Sequence, residues 1–195
     1  MPFPTLTPTP RPTPTGSASS YYDKGRAYFK DRKYQLAVNE FTTAIRLNPF
    51  HGDAYEYRGI SYEWLDQFQR ANEDYGKAIQ IDPGSGLYNL RGLTYVELGQ
   101  YKQAVQDYDK VVQLAPGWLY GYNNRGVAYI NLGQYQRAIQ DFDKVIQLDP
   151  SFASPHYYRG IAYRNLGQDA KAEADQAKAC SLTGDVLRYK YCPAG

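Results

Sequence analysis

From residue 88 to residue 114 the apolar positions return every three or four residues, first as far as Leu98 and again from about Gln100 to Leu114. That spacing is the period of one helix face, and nothing in the segment alternates as a strand does. Gly99 divides the two stretches, a residue type suited to ending a helix. Pro116 closes the second, because the residue before a proline is steered out of the helical region. The pattern predicts two helices joined by a tight turn, and it recurs. Gly133 and Gly167 repeat the stop at Gly99. Gly25, Gly59, Gly92, Gly126 and Gly160 are separated by 34, 33, 34 and 34 residues, and Pro49, Pro83, Pro116 and Pro150 keep the same step. A fixed period of this length predicts an all-α solenoid of helix pairs.

Residue types repeat along with the spacing. Tyr21, Tyr55, Tyr88 and Tyr122 open the first helix of each unit, and Tyr28, Tyr62, Tyr95, Tyr129 and Tyr163 follow three residues after the glycine. The second helix carries Ala37, Ala71, Ala104, Ala138 and Ala172, then Phe41, Tyr75, Tyr108 and Phe142. The small residues leave room where two helices approach closely, and the aromatic ones fill the space between neighbouring pairs. One pair cannot bury its apolar face alone, so stacking is required. The series resembles the tetratricopeptide repeat family over almost everything after residue 17. The resemblance implies a right-handed superhelical solenoid of antiparallel helix pairs, with units near 18–51, 52–84, 85–118, 119–152 and 153–184. The fifth unit departs from the pattern: His156, Gln176 and Gly184 stand where an aromatic, a second aromatic and a proline are expected. Terminal repeats are often atypical because one face meets water.

Charges keep the period too. Lys24, Arg58, Arg91, Arg125 and Arg159 precede the glycines, and Glu40, Asp74, Asp107, Asp141 and Asp175 lie sixteen residues further on. A helix hairpin brings such residues together, so the spacing predicts five helix-to-helix ion pairs. A catalytic series would not recur in every repeat.

Composition narrows the function classes. Hydrophobic residues are 43% of the chain and the net charge is +2, with both signs interspersed and no basic stripe of the kind that nucleic acid requires. No apolar run has the length of a membrane span, and the N-terminus lacks a charged-then-apolar leader pattern. There is no nucleophile elbow, phosphate-binding glycine loop, HExxH or dinucleotide turn. Cys180, Cys192, His51 and His156 lack zinc-site spacing. The expectation is a protein that is not an enzyme, needs no cofactor and binds a protein or peptide.

The first helices of a stacked array line its concave side, which in the resembled family commonly holds an extended peptide or a partner's helix. The candidate partner-binding residues are those in the first-helix columns that the repeating framework leaves unexplained: Tyr22, Arg26, Glu56, Tyr57, Trp64, Asn89, Asn123, Asn124, Asn131, Tyr157 and Tyr158. Amides offer donors and acceptors to a peptide backbone, and Tyr and Trp offer amphipathic contact area. The alternative is that these side chains only pack or face water. Chaperone-tail receptors of the family clamp a terminal carboxylate with lysines, and the outer columns of repeats two to five contain none. Two other functions remain open: an array that stacks end to end, and a regulatory or sensor domain of a larger tethered protein.

The ends differ from the array. Residues 1–16 hold six of the twelve prolines, alternating with threonine, and read as a semi-rigid spacer or a disordered tail. The 185–195 segment forms an extension. Cys180 and Cys192 enclose a short loop that a disulfide can close, worth roughly 3 kcal/mol; the alternative is two free thiols. The spacer and the bridge together lean towards an extracytoplasmic or tethered location.

Overall fold

The computed structural model describes residues 15–182, which form ten helices and, among the described residues, no strand. In chain order they are α1 (Ala18–Lys30), α2 (Tyr34–Leu47), α3 (Gly52–Glu63), α4 (Phe68–Ile81), α5 (Ser85–Glu97), α6 (Tyr101–Leu114), α7 (Leu119–Asn131), α8 (Tyr135–Leu148), α9 (Ala153–Asn165) and α10 (Asp169–Leu182). Each odd-numbered helix packs on the helix that follows it, and α2, α4, α6 and α8 each pack on the first helix of the next pair. The first helices also touch one another, α1 with α3, α5 with α7 and α7 with α9, whereas no two second helices make a comparable contact. The first helices therefore line the tighter side of the solenoid. Helix α5 begins at Ser85, a turn before the aromatic at which the apolar pattern starts. Gly184 and Cys192 lie outside the described residues.

The core is built from the two repeated series. Phe41, Tyr75, Tyr108 and Phe142 are completely buried, as are Ala37, Ala71, Ala104 and Ala138. Each ring lies against the glycine of its own pair: a Cβ on Gly126 would sit 2.7 Å from the Phe142 ring, and one on Gly59 would sit 2.8 Å from Tyr75. In the fifth pair Gln176 has no ring to offer. Gly160 faces the Ala172 carbonyl and the Asp175 Cβ instead, and His156 is buried in the same pair. Its Nδ1 lies 3.1 Å from Asp175 Oδ1 and its Nε2 is buried without a partner.

The turn inside each pair explains the other glycines. Gly99, Gly133 and Gly167 have φ near +70°, and the next residue's N–H bonds back to the last turn, as in Gln100 to the Tyr95 carbonyl at 2.7 Å. In the first two pairs Arg32 and Asp66 hold this left-handed conformation, with φ of 58° and 56°. A side chain there costs about 1–2 kcal/mol, partly offset because glycine loses more entropy on folding. Arg32→Gly and Asp66→Gly are each expected to raise stability by about 0.5–1 kcal/mol. A urea titration showing either variant less stable than the parent contradicts this reading.

Four of the five expected ion pairs form. Arg58, Arg91, Arg125 and Arg159 each grip Asp74, Asp107, Asp141 and Asp175 through Nε and Nη2 at 2.6–2.9 Å. The guanidinium of Arg58, Arg91 and Arg125 lies between the two tyrosines of its own first helix, and that of Arg159 lies against Tyr163; Arg91 is 5.8 Å from both the Tyr88 and Tyr95 ring centroids. Burial pushes the Asp74 and Asp141 carboxyls up from their ordinary range, and the paired arginine pulls them back in part. The first unit departs from expectation: Lys24 forms no ion pair with Glu40 among the described residues. An ammonium lacks the planar fork that matches a carboxylate, and Lys24 Nζ rests 5.2 Å from the Tyr21 ring centroid. The third guanidinium nitrogen reaches back to the preceding pair, with Arg58 donating to Thr42, Arg125 to Asp109 and Arg159 to Asp143. At Arg91 the equivalent position is Gly76, which has no side chain to accept.

Candidate functional site on the inner helices

At the N-terminal end the first helices carry an aromatic cluster. Tyr22 meets Phe41 and Tyr57 with centroids 5.9 Å apart in each case, and Phe29 lies 5.7 Å from Tyr57. Arg26 places its guanidinium over both Tyr22 and Tyr57, at 5.8 and 5.3 Å. Trp64, just past the end of α3, stacks flat on Tyr34 at 5.3 Å with 5° between the planes. Its other face is open, and 62% of the residue is exposed. The structure thus brings Tyr22, Arg26 and Tyr57 together, and Tyr22 and Tyr57 spend part of their surface on packing.

The middle and C-terminal part of the face is polar. Asn124 donates to Asn89 at 3.0 Å, Asn123 to Asn124 at 3.5 Å, and Ser154 to Asn123 at 3.3 Å. These bonds form a chain of polar groups across α5, α7 and α9. Asn123 is buried, whereas Asn89 and Asn124 are half-buried. Each amide has two donor hydrogens and two lone pairs, so the chain leaves capacity unused at Asn89 and Asn124. Asn131 turns back to the Val127 carbonyl at 2.9 Å and stands apart from them. Tyr157 and Tyr158 pack edge to face at 5.2 Å, and Tyr158 stacks on Phe142 at 6.0 Å.

Carboxylates fill the gap between the aromatic and amide regions. Burial pushes the Glu56 carboxyl up, with Asp53 adding to the effect. Burial also pushes Glu63 up; the Tyr75 hydroxyl draws it partly back and Glu97 raises it again. Glu63 and Glu97 are absent from the residues that sequence reasoning selected. Their signal was nonetheless readable, as two acidic residues in columns that hold mostly apolar and amide side chains.

Among the described residues no helix is long and apolar enough to cross a membrane, and no group of three or more potential ligands could hold a metal ion.

Models of the tetratricopeptide repeat match residues 22–86, 87–117, 120–152 and 142–174. A stretch of 61 residues is 38% identical to the Hsp70-Hsp90 organizing protein 2 of Arabidopsis thaliana. That match covers 31% of this chain and 11% of that protein, so the chain spans about a tenth of its relative's length. Among solved structures the chain is similar to YrrB, a TPR protein with an unusual peptide-binding site, with a TM-score of 0.79 and 22% identity over 88% of this chain and 89% of that one. It is also similar to MamA, with a TM-score of 0.81 and 20% identity over 91% and 97% of the two chains. At these identities the two structures show the fold alone.

Proposed function

Since the chain belongs to the tetratricopeptide repeat family, we propose that it works as a non-enzymatic scaffold that holds a peptide or helix of a partner protein against its inner helices. The observation that carries the proposal is the Asn89–Asn124–Asn123–Ser154 chain. Polar side chains that link three neighbouring first helices while keeping unused donors and acceptors suit an extended backbone laid across them. The exposed face of Trp64 and the edges of Tyr22, Tyr57, Tyr157 and Tyr158 add amphipathic area along the same side. Recognition by backbone amides favours an extended shape over one particular sequence. The relative from Arabidopsis thaliana is named for chaperones, but the outer first-helix columns of repeats two to five offer no lysine for an acidic chain end.

The test compares the whole chain with an Asn89→Ala/Asn124→Ala variant in capture from the source organism's extract, followed by crosslinking and mass spectrometry. The expected outcome is a partner crosslinked to the inner helices and lost from the variant by tenfold or more, the ratio that about 1.4 kcal/mol produces. Equal recovery by both proteins, with crosslinks on the second helices or the chain ends, rejects the inner face as the working surface. Recovery of the chain alone, with mass rising with concentration, would replace the proposal with end-to-end self-association.

A further inference from the structure

We infer that the partner segment is cationic, and that it places an arginine or lysine between the carboxylates of Glu63 and Glu97 and the open face of Trp64. This inference rests on the inner-face reading above and specifies its ligand.

The charges on the inner face are unevenly placed. Glu56, Glu63 and Glu97 lie in its middle and form no ion pair among the described residues. The arginines of the same two helices, Arg58 and Arg91, are already committed to Asp74 and Asp107 in bidentate contacts. Arg26 is held over two tyrosine rings at the N-terminal end, and Arg164 donates to Gln176 at the C-terminal end. The carboxylates are therefore uncompensated within the array. Glu63 is half-buried and Glu97 raises its carboxyl further, so a cation entering from outside would relieve both desolvation and repulsion.

A second feature lies beneath them. Tyr75 is completely buried, its hydroxyl has no hydrogen-bond partner within normal bonding distance, and the charges it senses are those of Glu63, Glu56 and Asp74, Glu63 foremost. Tyr108, also completely buried with an unpartnered hydroxyl, senses Asp107 and then Glu97. A buried polar group without a partner costs about 1–3 kcal/mol, and here two of them feel the charge of these carboxylates. A small shift of Glu63 or Glu97 towards a hydroxyl would satisfy it while the carboxylate's outer oxygen meets an incoming cation. Trp64 follows Glu63 directly in the chain. Its free ring face, braced from behind by Tyr34, provides the flat aromatic surface on which a guanidinium or ammonium rests. An acidic segment would meet three like charges here, and a neutral one would leave them unpaired.

The test uses three labelled synthetic peptides of equal length and matched Gly/Ser/Ala background, bearing arginines, serines or glutamates at the same positions. Fluorescence anisotropy follows their binding to the whole chain at low and physiological salt. The expected result is binding of the arginine peptide at least about tenfold tighter than the serine peptide and weakening with salt. The preference should disappear in Glu63→Gln/Glu97→Gln and fall several-fold in Trp64→Ala, with thermal unfolding of both variants close to the parent. Binding of the serine or glutamate peptide as tightly as the arginine peptide overturns the inference. So does an arginine preference that survives Glu63→Gln/Glu97→Gln, or the absence of binding by any of the three. The extract capture, which uses Asn89 and Asn124, reports separately on whether the inner face binds at all.

Discussion

Replacing Arg125 by alanine is expected to destabilise the array by about 3–5 kcal/mol, because it strands a buried carboxylate. Asp141 is only 5% exposed and takes both of its charged contacts from Arg125, at 2.9 and 2.6 Å. The same guanidinium bonds Asp109 of the preceding pair at 2.7 Å and lies against Tyr122 and Tyr129. The loss would be a large part of the roughly 5–15 kcal/mol that holds a domain together. Arg125→Lys should recover little, since one ammonium cannot span two carboxylate oxygens and two rings; Lys24, without an ion pair to Glu40, shows this within the chain. Arg125→Leu/Asp141→Leu should recover most of it, because removing both charges leaves nothing buried and unpaired. The pH dependence supplies a further check. Burial already pushes the Asp141 carboxyl up, and without Arg125 nothing pulls it down. A carboxyl whose folded value lies above its unfolded one, about 3.9, contributes stability at low pH that is lost as pH rises through the folded value. The deficit of Arg125→Ala should thus be smaller near pH 4 than at pH 7. Urea titrations at both values test this, and a variant within 1 kcal/mol of the parent at pH 7 would show that the pair does not carry the load assigned to it.

The fold was legible because each repeated residue answers a local packing requirement. Gly126 must be glycine where the Phe142 ring touches it, and Arg125 must carry a fork where Asp141 is buried. Each such requirement recurs in four of the five pairs and so appears as a periodic column. What was less legible depended on pairs of columns read together. Tyr57 and Tyr158 are candidate partner-binding residues by their columns, yet each packs 6.0 Å from the ring of the preceding second helix, Phe41 and Phe142. Where that ring is a tyrosine, as at Tyr75 and Tyr108, the following column holds Leu90 and Asn124. Single-column reading shows an unexplained tyrosine; only the pairing shows its packing contribution. The asparagines posed a similar problem. Their type suggested free hydrogen-bonding groups, and only the approach of α5 and α7 reveals that Asn89 and Asn124 bond each other. Glu63 and Glu97 are visible as acidic residues in their columns, but only the stacked array shows that neither forms an ion pair among the described residues and that Glu97 acts on the half-buried Glu63.

Phe142→Ala is expected to cost about 3–5 kcal/mol, the range for deleting a large, fully buried aromatic. Its consequences should run in one direction along the chain. Phe142 fills the space above Gly126 within its own pair, where no side chain can expand into the cavity, and it stacks against Tyr158 of α9. Because each unit of a solenoid contacts only its neighbours, removing this ring weakens both the fourth pair and its junction with the fifth. The fifth pair is poorly placed to compensate: Gln176 has replaced its own core aromatic, and the buried His156 carries an unpartnered nitrogen. Hydrogen exchange should therefore show α9 and α10 losing protection first in Phe142→Ala, while α1 to α6 keep most of theirs. Tyr108→Phe provides the control, since it deletes only a buried hydroxyl without a partner and leaves the ring in place. That variant should match or slightly exceed the parent in stability. Uniform loss of protection along all ten helices of Phe142→Ala would mean that the array unfolds as one cooperative block, and that the coupling between the fourth and fifth pairs is no weaker than the coupling elsewhere.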